Sequence, residues 1–99
     1  MSNWKPEYII NGNKFSNSNS FYNHIEKVFT NGLNWKIGRN LNAFNDVLSG
    51  GFGEFDCEEQ IILNWKNIEK SKEVLNESFF NSVVEIIKEH NHITFITSK

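Results

Sequence analysis

The chain predicts an α/β layer structure: a small three-stranded parallel sheet covered by about four helices, in two layers. Three observations lead there. Short apolar runs at residues 8–10, 61–63 and 93–96 have the length and β-branched content of strands. Between them lie segments whose apolar residues recur at helical spacing. Strands separated by helical crossovers pair in parallel with right-handed connections, and such runs suit strands covered by helices better than freely alternating ones. A chain of 99 residues, 38% hydrophobic and 22% charged, is expected to form one domain over 1–99, with nine Phe and three Trp supplying bulk to its core.

The elements follow in order. The first strand covers Glu7–Asn11, and Asn11-Gly12-Asn13 turns the chain. The polar stretch Ser16–Ser20 can cap a helix running from about Ser20 to Thr30, with Phe21, Ile25, Val28 and Phe29 along one face; Asn31-Gly32 stops it. A loop over Leu33–Arg39 leads to a second, short helix bounded by Gly38 and by Gly50-Gly51. Gln60–Asn64 is a second strand, Trp65–Lys72 a short surface helix, and Glu77–His90 a last helix capped by Asn76 or Ser78. Phe80, Val83, Val84 and Ile87 form its apolar stripe, and His92–Thr97 closes the sheet.

The second helix is the unusual one. Leu41, Phe44 and Leu48 are spaced to face a core, while Asn42, Asn45, Asp46 and Ser49 fall on the other side. Small polar groups around one carboxylate, on a rigid helix, suit the gripping of a partner. The net charge is −2, which argues against nucleic acid as the direct partner. Between Asn40 and Asn64 there is no Lys or Arg, yet Asp46, Glu54, Asp56, Glu58 and Glu59 all occur, so part of the surface is negative. A solvated acidic loop and a binding rim both fit that run.

Other constellations carry less. Cys57 is the only cysteine, which rules out an internal disulfide or a cysteine zinc site and suits a reducing compartment. The start of the chain lacks a signal-peptide core and no segment is long enough to span a bilayer, so the expected location is the cytoplasm, with no membrane partner. His90-Asn91-His92 reads as a surface turn rather than a metal pair, and His24 as a rim residue; no metal or cofactor is expected. Gly50-Gly51-Phe52-Gly53 lacks the strand-to-helix setting of a dinucleotide loop. Trp4, Trp35 and Trp65 read as packing rather than base-stacking residues in the absence of a basic groove. A small enzyme would need clustered titratable groups in a concave site, with His24 or His92 turned towards Asp46.

Three patches resemble the barstar family, intracellular inhibitors of the ribonuclease barnase. The first is Gly38, Asn40, Asn42, Ala43, Phe44, Asp46, Leu48 and Gly50, against a family pattern Gly-x-Asn-x-Asp-Ala-hydrophobic-x-Asp-x-Leu-x-Gly. The second is Leu63-Asn64-Trp65-Lys66 followed by Glu69-Lys70-Ser71-Lys72, and the third spans Val83–Ser98, with Ile10-Asn11-Gly12 at the start. The resemblance implies a barstar-like fold and a non-enzymatic inhibitor whose second helix and preceding loop enter a nuclease's active-site cleft. Asp46 matches the carboxylate that stands in for substrate phosphate, and Glu85 a flanking glutamate; Glu89 lies one turn further on. A ribonuclease cleft must be cationic to hold RNA, and a fixed carboxylate with neighbouring amides can mimic the anion.

The resemblance therefore implies a partner-binding set of Trp35, Lys36, Gly38, Asn40, Asn42, Asn45, Asp46, Ser49, Gly50, Gly51 and Glu85, a cognate ribonuclease toxin as partner, and a monomer when free. The sequence departs from the family at several of these positions. Asn42 replaces an acid, Asn45 a tryptophan, Lys36 a loop aromatic with Trp35 beside it, and Gly51 another aromatic; the loop over Gly51–Glu59 is longer. Within it, Phe52 and Phe55 either supply apolar contact to a distinct nuclease or pack on the protein's own core. The alternative function is a non-inhibitory interaction module on the same fold.

Overall fold

A computed structural model describes residues 5–30, 38–49 and 60–98. Strand β1 (Glu7–Asn11) is followed by a short 3-10 helix at Gly12–Lys14 and by helix α1 (Ser18–Thr30). Then come α2 (Leu41–Leu48), β2 (Ile61–Lys66), α3 (Ile68–Val74), α4 (Glu77–Glu89) and β3 (Ile93–Ser98). The three strands form one parallel sheet in the order β1-β2-β3. Tyr8 pairs with Leu63 and Leu63 with Phe95, which fixes the register across the sheet. This is the α/β architecture with four helices and a three-stranded parallel sheet that the alternation of elements predicts.

Each boundary has a local cause. α1 starts at Ser18, ahead of the expected Ser20, because the Asn17 side chain accepts the Ser20 N–H at 2.9 Å and closes the first turn. Asn76 caps α4 by accepting from the Ser78 and Phe79 N–H groups. The expected helix from Trp65 is corrected: Trp65 and Lys66 finish β2, and α3 begins at Ile68. The switch is made by Asn67, which takes the left-handed conformation at φ 56°, a region that asparagine tolerates, and whose amide donates to Asn11 Oδ1 at 2.9 Å.

The sheet is covered differently from the expectation of continuous burial. β2 alternates: Ile61, Leu63 and Trp65 are fully buried, whereas Ile62 and Asn64 are half-buried and Lys66 is exposed. The second face carries Ile9, Asn64 and Ile96 in one row, with Ile9 39% and Ile96 44% exposed. Asn64 is tied across that row, donating to Glu7 Oε2 at 3.0 Å and accepting from Ser98 Oγ at 3.3 Å. Among the described residues the helices gather on one face, and the other face is largely polar, with Ile9, Ile62 and Ile96 as its apolar side chains.

The core lies between the sheet and the helices. Ile10, Phe21, Ile25, Phe29, Phe44, Leu48, Leu63, Trp65, Val83 and Ile87 are essentially excluded from water. Trp65 is its centre: its ring stacks on Phe21 at 5.9 Å and meets Phe80 edge-on at 5.5 Å, and its Nε1–H donates to the buried Ser71 hydroxyl at 2.8 Å. All buried side-chain nitrogen and oxygen atoms among the described residues have partners.

Gly12 sits where the two loops at this end of the sheet touch. A Cβ there would lie 2.2 Å from the Asn67 carbonyl oxygen and 2.6 Å from Ser71 Oγ. The Asn67 carbonyl is held as the acceptor of the Lys70 and Ser71 N–H groups, so it cannot move aside. Gly12→Ala is expected to destabilise the fold by about 1–3 kcal/mol, the usual cost of forced overpacking, read as a lower urea midpoint at unchanged slope.

Candidate partner-binding face

Helix α2 has two distinct sides. Phe44, Val47 and Leu48 are buried and Leu41 packs against the core from its edge. Asn42, Asn45 and Asp46 are exposed, and Ser49 is half-buried. The Asp46 carboxylate has neither a hydrogen bond nor an ion pair among the described residues. Helix α4 packs beside α2 and carries Glu85 and Glu89, both exposed. Asp46 and Glu85 are therefore exposed and without an ion pair among the described residues.

Three of the predicted site residues, Asn40, Asn45 and Ser49, are also committed internally. Asn40 is the N-cap: in extended conformation, its Oδ1 accepts the Ala43 N–H at 2.8 Å. Its amide N–H groups remain for a partner. Gly38 belongs to this cap, since a Cβ at 38 would fall 2.9 Å from Asn40 Nδ2. Asn45 Oδ1 lies 2.7 Å from Nε2 of His90. Ser49 closes the helix, its N–H donating to the Asn45 and Asp46 carbonyls and its hydroxyl to the Asn45 carbonyl, each at 3.1 Å. Trp35, Lys36, Gly50 and Gly51, with Phe52, Phe55, Cys57 and the acids of 51–59, lie outside the described residues.

Partners from distant elements fix both ends of α2. Before its N-cap, Arg39 Nη1 meets Glu26 Oε2 of α1 at 2.5 Å, and its Nη2 donates to Asn23 Oδ1. Beyond its last turn, the Leu48 carbonyl, one of the orphan acceptors of a helix C-terminus, accepts from His92 Nε2 at 2.9 Å. The His90-Asn91-His92 turn had no chemical signal in the sequence, because its partners are 44 and 45 residues away. It is a turn, as expected, but His92 is buried rather than at the surface. His24, expected at the rim, is half-buried: its Nε2 accepts the Asn11 N–H at 2.9 Å. Burial, then the Lys14 and Lys27 charges, lower its pKa.

Among the described residues, the hydrogen bonds of His24 and His92 go to groups other than Asp46. His24 is spent on the end of β1 and His92 on the end of α2. Polar grooves run along α4, lined by Asn76, Asn81 and Glu85 among others, and beside α1 around Lys14, His24 and Lys27; Asp46 lines neither. Among the described residues, no three His, Cys, Asp or Glu side chains are placed to hold a metal ion, and no helix is long and apolar enough to cross a membrane.

The fold and site define a small α/β scaffold that displays the polar side of one helix bonded to other elements at both ends. The chain belongs to the Barstar (barnase inhibitor) family, whose model matches residues 6–94. That family consists of inhibitors of a ribonuclease rather than enzymes, and a ribonuclease is the kind of partner it binds. No curated protein matches the chain.

Proposed function

We propose that the protein is a stoichiometric inhibitor that blocks the active site of a cognate ribonuclease toxin, acting as the immunity protein of the cell that makes it. The observation that carries this reading is Asp46: an exposed carboxylate without a partner among the described residues, on a helix held at both ends. Such a group enters a cationic cleft with little ordering cost, because its backbone is already fixed. It replaces a phosphate by charge, while the amides of Asn42 and Asn45 and the Asn40 N–H groups supply oriented hydrogen bonds around it. Glu85 adds flanking charge that speeds encounter with a basic partner. The family resemblance adds Trp35, Lys36, Gly50 and Gly51 to the partner-binding set. The protein acts in the cytoplasm and is a monomer until it meets its target.

The test is a titration of purified protein into a barnase-type ribonuclease, preferably one encoded beside it, with RNA cleavage as the readout. Inhibition complete at one equivalent is expected. Undiminished cleavage at excess protein overturns inhibition and leaves a non-inhibitory interaction module.

A further inference from the structure

We propose that the turn joining α4 to β3 is a pH-dependent clamp on α2: His92 holds the helix's last carbonyl, His90 holds the Asn45 amide, and together they fix the turn that carries Asp46. The proposal rests on the reading of α2 as the inhibitory face, but the clamp itself is a property of the free protein.

The geometry is specific. His92 Nε2 lies 2.9 Å from the Leu48 carbonyl, so that nitrogen must carry the proton. His90 Nε2 lies 2.7 Å from Asn45 Oδ1, and when it donates, the Asn45 amide N–H groups are turned away from it. The two rings meet edge-on with centroids 5.4 Å apart. Asp46 stands between the two anchored residues, next to Asn45 and two before Leu48. A shift of the turn would therefore move the carboxylate's own backbone. Among the described residues, no other side chain bonds to the end of α2 except Ser49, which acts within the helix terminus.

His90 makes the clamp sensitive to acid. Burial holds its pKa below the ordinary value, the neighbouring His92 lowers it further, and Glu89 on α4 works in the opposite direction. The sign follows directly. A released or unfolded His90 takes up a proton near its ordinary value of about 6.5, whereas the clamped ring resists it. The clamp's contribution is thus complete above that value and declines as pH falls through and below it. Protonated His90 still has its Nε2–H to give Asn45 Oδ1, so acid acts against the clamp through the cost of holding a charge in a half-buried site, which the open turn relieves.

Amide hydrogen exchange of the free, full-length protein tests this, with each rate divided by its intrinsic rate at that pH. In the wild type, protection at Val47, Leu48 and Ser49 is expected to be lower at pH 5.5 than at pH 7.5, while that of Leu63 and Trp65 in β2 stays level. His92→Leu, which keeps the bulk and removes the donor, should lower α2 protection at pH 7.5 by roughly tenfold, the net worth of one hydrogen bond. His92→Gln, whose amide can place a donor near the same point, should restore it. His90→Leu should leave α2 protection insensitive to pH. Unchanged α2 protection in His92→Leu, or a wild-type helix whose protection does not vary with pH, overturns the clamp. If His92→Leu fails to fold, the wild-type pH series decides alone. Binding to the ribonuclease is then read separately: if exchange behaves as expected but the inhibition constant ignores both pH and His92→Leu, the clamp stands and the reading of α2 as the inhibitory face falls.

Discussion

Asp46→Ala is expected to weaken the complex with the target ribonuclease by about 3 kcal/mol or more, over a hundredfold in Kd, while leaving the free protein as stable as the wild type. The magnitude is the general cost of truncating one member of a desolvated charge pair, a range that includes pairs measured between barnase and barstar themselves. The lack of a stability effect follows from the structure: the side chain is exposed and bonds to nothing among the described residues. Alanine is also a better helix former than aspartate, so α2 is not weakened by the change. Asp46→Asn separates shape from charge. It keeps the outline and a hydrogen-bonding oxygen but removes the anion, and should lose most of the same affinity. Association by the wild type should slow as salt rises, and that dependence should flatten in both variants. Wild-type binding by Asp46→Ala, measured by calorimetry or by inhibition of RNA cleavage, would discard the phosphate-mimic mechanism.

The second large effect is on folding. Trp65→Ala is expected to cost about 3–5 kcal/mol, the range for emptying an aromatic site in a closed core. Against a total stability of about 5–15 kcal/mol for domains in general, that is a large share of the folding free energy. The indole is fully buried, is packed among Phe15, Phe21, Phe80 and Phe95, and gives its N–H to Ser71. Trp65→Phe should cost less, because the space is partly filled, yet it strips the buried Ser71 hydroxyl of its donor. Combining it with Ser71→Ala should therefore recover part of the loss. Urea unfolding of the three variants measures the series, and a Trp65→Phe protein as stable as the wild type would show that the indole N–H adds nothing.

The part of the fold carried by local chemistry was legible in the sequence. Glu7–Asn11 is a strand, and Phe80, Val83 and Ile87 form the buried stripe of α4, because periodicity and caps act over a few residues. Trp65 reads as a helix start because nothing nearby announces that Asn67 takes the left-handed turn; that depends on Asn11, on the neighbouring strand. One-sided burial of the sheet was also hidden, since the runs at β1 and β2 are apolar at consecutive positions and only the layers show which side is covered. On α2 the division between buried and exposed faces was readable from spacing, and the exposure of Asp46 with it. The restraints on its two ends were not. Arg39 with Glu26, and His92 with Leu48, join residues 13 and 44 positions apart through the tertiary fold, and such pairs leave no trace in a local pattern.

The pairing of Tyr8 with Leu63 and of Leu63 with Phe95 has a kinetic side. Neither strand contact is made by a hairpin, so long stretches of chain must be closed before either is rewarded, and topologies of this kind reach their native state more slowly than locally wired ones of equal size. If the protein has the proposed immunity role, the delay matters as much as the grip: protection would begin only when the sheet has formed, so a cell relying on it would have to start making the inhibitor ahead of its target, or keep a reserve already folded.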